Sequence, residues 1–311
     1  MQRFTRYLTT LVLTAGFAAA HAEHHEHAGH GHDGHSTAHG EHAGPKVKKL
    51  WVVEDLPVPE SALYDAAGER IFVSIIDGGP MDKNSTGRIA VVHPDGTLTD
   101  AEFATGLHAP KGLALHGNRL YAADIDTLMV IDATSGEIVA QHVAEGAAFL
   151  NDVAADAEGN VYVTDMLANR IYRLADGEFS VWMEGPALDF PNGVFVEGDT
   201  LVLGTWGNIV DGFSTDRPGQ LHVIDIASKE ISPLPGAAPL GNLDGVEARK
   251  GGGYVVSDWM IGKVFVVDNM GQATEILDRG QGAADLGLIK EQDIILLPHM
   301  KENLLEAWQI Q

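Results

Sequence analysis

Short runs of alternating apolar and polar residues, separated by tight turns, recur down this chain about every forty to fifty residues. Six copies stand out: PESALYDAAGERIFVS from Pro59, PKGLALHGNRLYAAD from Pro110, LNDVAADAEGNVYVTD from Leu150, PNGVFVEGDTLVLGTW from Pro191, LDGVEARKGGGYVVSD from Leu243 and ADLGLIKEQDIILLPH from Ala284. Apolar alternation broken by Asp-Gly or Glu-Gly pairs predicts antiparallel hairpins. In the third copy it predicts strands at Asn151–Ala155, Val161–Thr164, Ile171–Leu174 and Phe179–Met183. One such unit cannot bury its own apolar face, whereas six arranged radially can. The expected fold is therefore all-β, a six-bladed β-propeller over residues 49–311. The last copy runs out after three strands, so KLWVVE (Lys49–Glu54) is expected to supply its outer strand and close the ring. Two repeats carry extra residues, at Asp77–Gly87 and Trp206–Gly219. Both are rich in Gly, Asp, Asn and Ser and read as surface loops.

Radial symmetry has a chemical consequence. The first polar residue of each copy sits just before the innermost strand, beside the axis. These residues are Glu60, Lys111, Asn151, Asn192, Asp244 and Asp285. Carboxylate and amide oxygens are hard donors suited to Ca, Mg or Mn, with Zn possible. So many carboxylates gathered without a cation would be costly. The second strand of each blade ends on the same face, bringing Asp124, Asp165, Asp258 and His299 toward the same mouth, with Trp206 and Trp259 as walls. For the three aspartates the competing role is to cap turns or tie blades together.

Composition narrows the function. A formal net charge of −24 argues against nucleic acid as a partner. Residues 1–22 read as a cleavable secretory leader: Arg3 and Arg6, an apolar run from Tyr7 to Ala20, and a small-x-small site ending at Ala22. The run is short for a membrane span, so a periplasmic or secreted protein that is not membrane-embedded is expected. The chain has no cysteine and no GxSxG, so neither thiol chemistry nor a covalent nucleophile is indicated. Residues 23–48 form a polar, disorder-prone arm with histidines at His24, His25, His27, His30, His32, His35, His39 and His42. Such a tract suits a transition metal, released on protonation below about pH 6.5.

Glu60 in PES, Asn151 in LND, Asn192 in PNG and Asp244 in LDG together resemble the pattern of the gluconolactonase, regucalcin and luciferin-regenerating enzyme family, from about Leu50 onward. The resemblance implies a divalent cation held by Glu60, Asn192 and Asp244, with Asn151 facing metal or substrate and Asp244 as the base in lactone hydrolysis. Asp258 or His299 are alternative proton acceptors. Two departures stand out. Phe149 occupies the position where the sugar-lactonase branch carries Arg, and Lys111 enters the ring. Phe149, Trp206 and Trp259 suggest a substrate less polar than a sugar lactone, with Lys111 and His299 beside it. The alternative is a non-catalytic periplasmic propeller that binds a metal, a small molecule or a protein loop, with the arm handling metal.

Overall fold

The computed structural model describes residues 45–311. The expected leader and the eight histidines of the arm lie outside the described residues. Six four-stranded antiparallel sheets follow one another as the blades of a propeller. Their innermost strands are Pro59–Asp65, Pro110–His116, Leu150–Ala155, Pro191–Glu197, Leu243–Ala248 and Gly287–Ile289. Inner strands are buried along most of their length. Outer strands such as Ile138–Val143 alternate between half-buried and exposed, as expected of a sheet edge at the rim. Apolar clusters form between neighbouring blades. Ala62, Ile71 and Val73 of the first blade, for example, pack with Ile294, Leu296 and Leu305 of the last.

The ring closes as the sequence suggested, with a strand that starts two residues earlier. Val47–Val53 pairs antiparallel with Leu304–Ile310, from Val47↔Ile310 to Val53↔Leu305, with a bulge between Lys49 and Trp51. Val53 and Leu56 then enter the cluster shared by the first and last blades.

The position after the ring residue is glycine in three copies because the inner strands crowd together at the axis. A Cβ on Gly193 would lie 1.9 Å from the Asp244 carbonyl oxygen, and one on Gly245 would lie 2.3 Å from the Leu286 nitrogen. The third copy places Asp152 there instead. Its carboxylate accepts from the Val194 amide at 2.6 Å, tying the third blade to the fourth.

One expectation is corrected. The insertion Trp206–Gly219 is not an irregular loop. Strands Gly207–Asp211 and Ser214–Pro218 form a separate hairpin. The turn between them uses Gly212 at φ 58°, a left-handed conformation that glycine adopts without strain. Asn242 Nδ2 donates to the Trp206 carbonyl (2.7 Å) and Thr215 Oγ1 (3.1 Å), and Arg217 pairs with Asp189 through both terminal nitrogens. The Asp77–Gly87 insertion contains no strand before Gly87.

The closing strand is also fastened electrostatically. Glu306 is fully buried. It receives Lys49 Nζ from the closing strand, Arg279 Nε at 2.7 Å and Trp308 Nε1 at 3.1 Å. Burial pulls its carboxyl upward, but the hydrogen bonds from Lys49 and Arg279 prevail and hold it below the ordinary range. A depressed carboxyl stabilises the fold at neutral pH, and that contribution is lost as pH falls through the folded value. Glu306→Gln should therefore destabilise the protein by about 1–3 kcal/mol at pH 7, because both cationic partners remain partly solvated. Thermal unfolding should show the gap to wild type closing below about pH 4.

Candidate functional site

A cavity of about 240 Å³ opens on the face where the inner strands begin. Its floor holds five of the six ring residues: Glu60, Lys111, Asn151, Asn192 and Asp244. Each is the second residue of an inner strand, and each is at least nine-tenths buried. Asn192 organises the group. Its Nδ2 donates to Asp244 Oδ1 at 2.8 Å and to the Leu243 carbonyl at 3.0 Å, while its Oδ1 receives Asn151 Nδ2. Glu60 Oε2 is buried without a hydrogen-bond partner.

Asp285, the sixth ring residue, does not line the cavity. In the last blade the inner ladder starts late, at Gly287, and Asp285 bridges in parallel to Ser61. Its carboxylate accepts from Ser61 Oγ at 2.5 Å. Burial raises the Asp285 carboxyl to about 7, against the pull of Ser61. Burial, and after it the negative charges of Asp244 and Asp285, drives the Glu60 carboxyl well above its ordinary value. Asp244 is raised by burial and by Asp285, and Asp152 likewise. Mutual repulsion in a desolvated space is the shared cause.

This chemistry fits a divalent cation. Two carboxylates and an amide oxygen are hard donors, the unpaired Glu60 Oε2 is the kind of atom a cation satisfies, and the repulsion among the acids is what its charge would relieve. Among the described residues, no three His, Cys, Asp or Glu side chains are grouped as a metal cage, so the candidate set depends on Asn192 as its third member.

Lys111 is 2% exposed. Its Nζ donates to the Ala109 carbonyl at 3.0 Å and lies 4.6 Å from the centre of the Phe149 ring. Burial lowers the ammonium to about 8, against the pull of Glu60 and Asp124. No carboxylate stands within 4.0 Å of Lys111 among the described residues, so it forms no ion pair with Glu60 or Asp285.

The walls are apolar. Ile76, Phe149, Met166, Trp206, Trp259 and Met300 line them, and Pro80 and Phe213 reach in from the two insertions. Strand register explains several of these. Ile75, Asp165, Thr205 and Asp258 all pair with the first residue of their inner strands. The next residues are Ile76, Met166, Trp206 and Trp259, all wall residues. Sequence reasoning reached only the two tryptophans. Phe213 was missed because its hairpin was read as loop, although it packs on Trp206, whose Nε1 donates to the Phe213 carbonyl at 2.8 Å.

The second polar set does not join the site. Asp124 accepts from the amides of His108 and Ala109, Asp165 from Ala148 and Phe149, and Asp258 from Asn242 and Ile261. Their oxygens are used to shape the turns that precede the inner strands. His299, expected at the mouth, is buried outside the cavity. Its Nε2 faces the carbonyls of Arg279 and Gly280, and its Nδ1 accepts from the Glu302 amide. Met300, the next residue, takes its place on the wall.

Comparison with known proteins supports this architecture. A gluconolactonase from Xanthomonas campestris superposes with a TM-score of 0.63 at 19% identity, covering 86% of this chain and 91% of that one. A second solved structure, provisionally assigned as a gluconolactonase, gives 0.62 at 17% identity over 86% and 93%. No family model and no curated protein matches the chain. At such identities the likeness shows the fold, the six-bladed propeller.

If repulsion dominates the cation-free floor, neutralising one acid should relieve it. Asp244→Asn, measured by thermal unfolding at pH 8 in chelator, should be more stable than wild type by on the order of 1–2 kcal/mol. A lower melting temperature would mean that the Asp244 charge holds the fold together.

Proposed function

We propose that this protein is a hydrolase of the lactonase or esterase type that depends on a divalent cation and attacks an acyl carbonyl with water. The observation that carries the reading is the convergence of Glu60, Asn192 and Asp244 on the floor of one apolar-walled cavity, with Glu60 Oε2 buried and unpaired. The resemblance of the PES, LND, PNG and LDG segments to the lactonase pattern, and the fold shared with gluconolactonases, support it.

Glu60, Asn192 and Asp244 would hold the cation, one of Ca, Mg, Mn or Zn. When bound, it supplies carbonyl polarisation and a more acidic water. Asp244 is the proton acceptor for the attacking water: Asn192 fixes one of its oxygens and leaves the other for the transfer. Asn151, held by its contact with Asn192, lines the cavity and would face the metal or the substrate. The aromatic and methionine walls exclude bulk water and favour a substrate with an apolar body over a sugar lactone. The sequence before residue 45 extends the proposal to an exported, periplasmic or secreted protein with a transition metal on its arm. No helix among the described residues is long and apolar enough to cross a membrane.

A panel of lactones and aryl esters, with and without chelator, tests the proposal. Turnover should vanish in chelator and return with one divalent ion. Glu60→Ala and Asp244→Ala should each lower kcat/KM by about 100-fold or more, while deleting residues 23–45 leaves turnover unchanged. Tight stoichiometric metal with no hydrolysis across the panel would identify a binding module instead.

A further inference from the structure

Of the ring residues that line the cavity, Lys111 is the one that the proposed chemistry leaves without a task. An ammonium has three N–H donors, and burying one without enough acceptors is costly. Here a single carbonyl, that of Ala109, accepts from it, and the face of Phe149 covers one side. A buried cation in a concave site, with donors to spare and no carboxylate within ion-pair distance, is suited to an oxygen brought by a ligand.

The rest of the cavity says what that oxygen is attached to. Its walls are aromatic, aliphatic and thioether groups. The apolar character continues onto the surface: Met81, Leu167, Val210, Phe213 and Ile261 are all exposed. Met81 follows Pro80, Leu167 follows Met166, and Ile261 lies two residues beyond Trp259. Val210 shares a hairpin with Phe213. Each is thus close in sequence to a wall residue, so the segments that carry the wall also carry exposed apolar side chains, an apolar margin to the wall.

We propose that Lys111 is a specificity-determining residue that binds a carboxylate oxygen of a monocarboxylic amphiphile. The apolar body of this ligand lies along the wall and leaves across the margin. For the hydrolysis proposed above, this acid is the product, and its ester or lactone is the substrate, whose acyl oxygen faces the same ammonium. The link to turnover rests on that reading, but recognition of the acid does not.

Straight-chain carboxylates of six to twelve carbons and their matched primary alcohols serve as probes. Binding is followed by tryptophan fluorescence and calorimetry, on the full chain with calcium and in chelator. With calcium, wild type should bind each acid about 10- to 100-fold more tightly than its alcohol, the range of one charge-assisted hydrogen bond. Affinity should rise roughly 4-fold per added methylene. Lys111→Met, which keeps the bulk and removes the charge, should bind alcohols as wild type does and lose the preference for acids. Lys111→Gln, checked beside it by thermal unfolding, should behave likewise. Equal binding of acid and alcohol by wild type would overturn the proposal without reference to any variant. A preference that survives in folded Lys111→Met would also overturn it, assigning acid binding to the cation. Acid recognition that depends on Lys111, in a protein that hydrolyses nothing on the panel, would uphold this inference and remove the hydrolase reading.

Discussion

Six strands that begin beside a common axis leave room for backbone and little else, and this crowding determines most of the molecule. It excludes a Cβ at Gly193 and Gly245, where the neighbouring strand's backbone would lie within about 2.3 Å. In five of the six blades the preceding side chain stands on the floor of the cavity. Asp152 shows how the constraint is otherwise met: a side chain is accepted at the crowded position because its carboxylate replaces packing with a hydrogen bond to the Val194 amide. The site thus follows from the same close approach that lets the inner strands seal the axis.

Convergence of this kind concentrates like charge. Glu60 and Asp244 on the floor, with Asp285 and Asp152 close by, each raise the cost of ionising the others. A fold selected only for stability would fill these positions with apolar or neutral groups. The opposing device is local. Asn192 bridges Asn151 and Asp244, so the amides absorb part of the polarity and keep the acids at fixed positions. What remains unsatisfied, Glu60 Oε2 above all, is the polarity that the proposed cation would neutralise.

Much of the fold was legible in the sequence because it is written six times. The repeat gave the blades, and the ragged ends gave the closure, since KLWVVE and LLEAWQI are each a strand lacking a partner. The ring was legible as far as periodicity extends, and Asp285 fell outside the cavity where the last inner strand shortens. The Trp206–Gly219 hairpin was hidden because NIVDGFSTDRP does not alternate; partners distant in sequence, Asn242 and Asp189, secure it. Asp124, Asp165 and Asp258 take the turn-capping role that the sequence offered beside a place at the mouth. A motif shows that a carboxylate is present at a strand end, but not that the amides of the preceding turn have already taken its oxygens.

The cavity separates two tasks that a sugar-binding site would combine. On the floor, polar groups from five blades converge, and in the proposed hydrolysis they would define where a carbonyl is attacked. On the walls, Ile76, Met166, Trp206 and Trp259 occupy one repeated position, and Phe213 reaches them from an insertion that only one blade carries. The walls can therefore change residue by residue, or by insertion, without disturbing the inner strands that hold the acids. Phe149 marks the boundary between the two. It stands two residues before Asn151, its amide is held by Asp165, and its ring covers the Lys111 ammonium. A guanidinium at that position would place a second cation beside Lys111. An aromatic ring instead shields the lysine charge and extends the apolar wall down to the floor, so the polarity of the ligand is decided where the two surfaces meet.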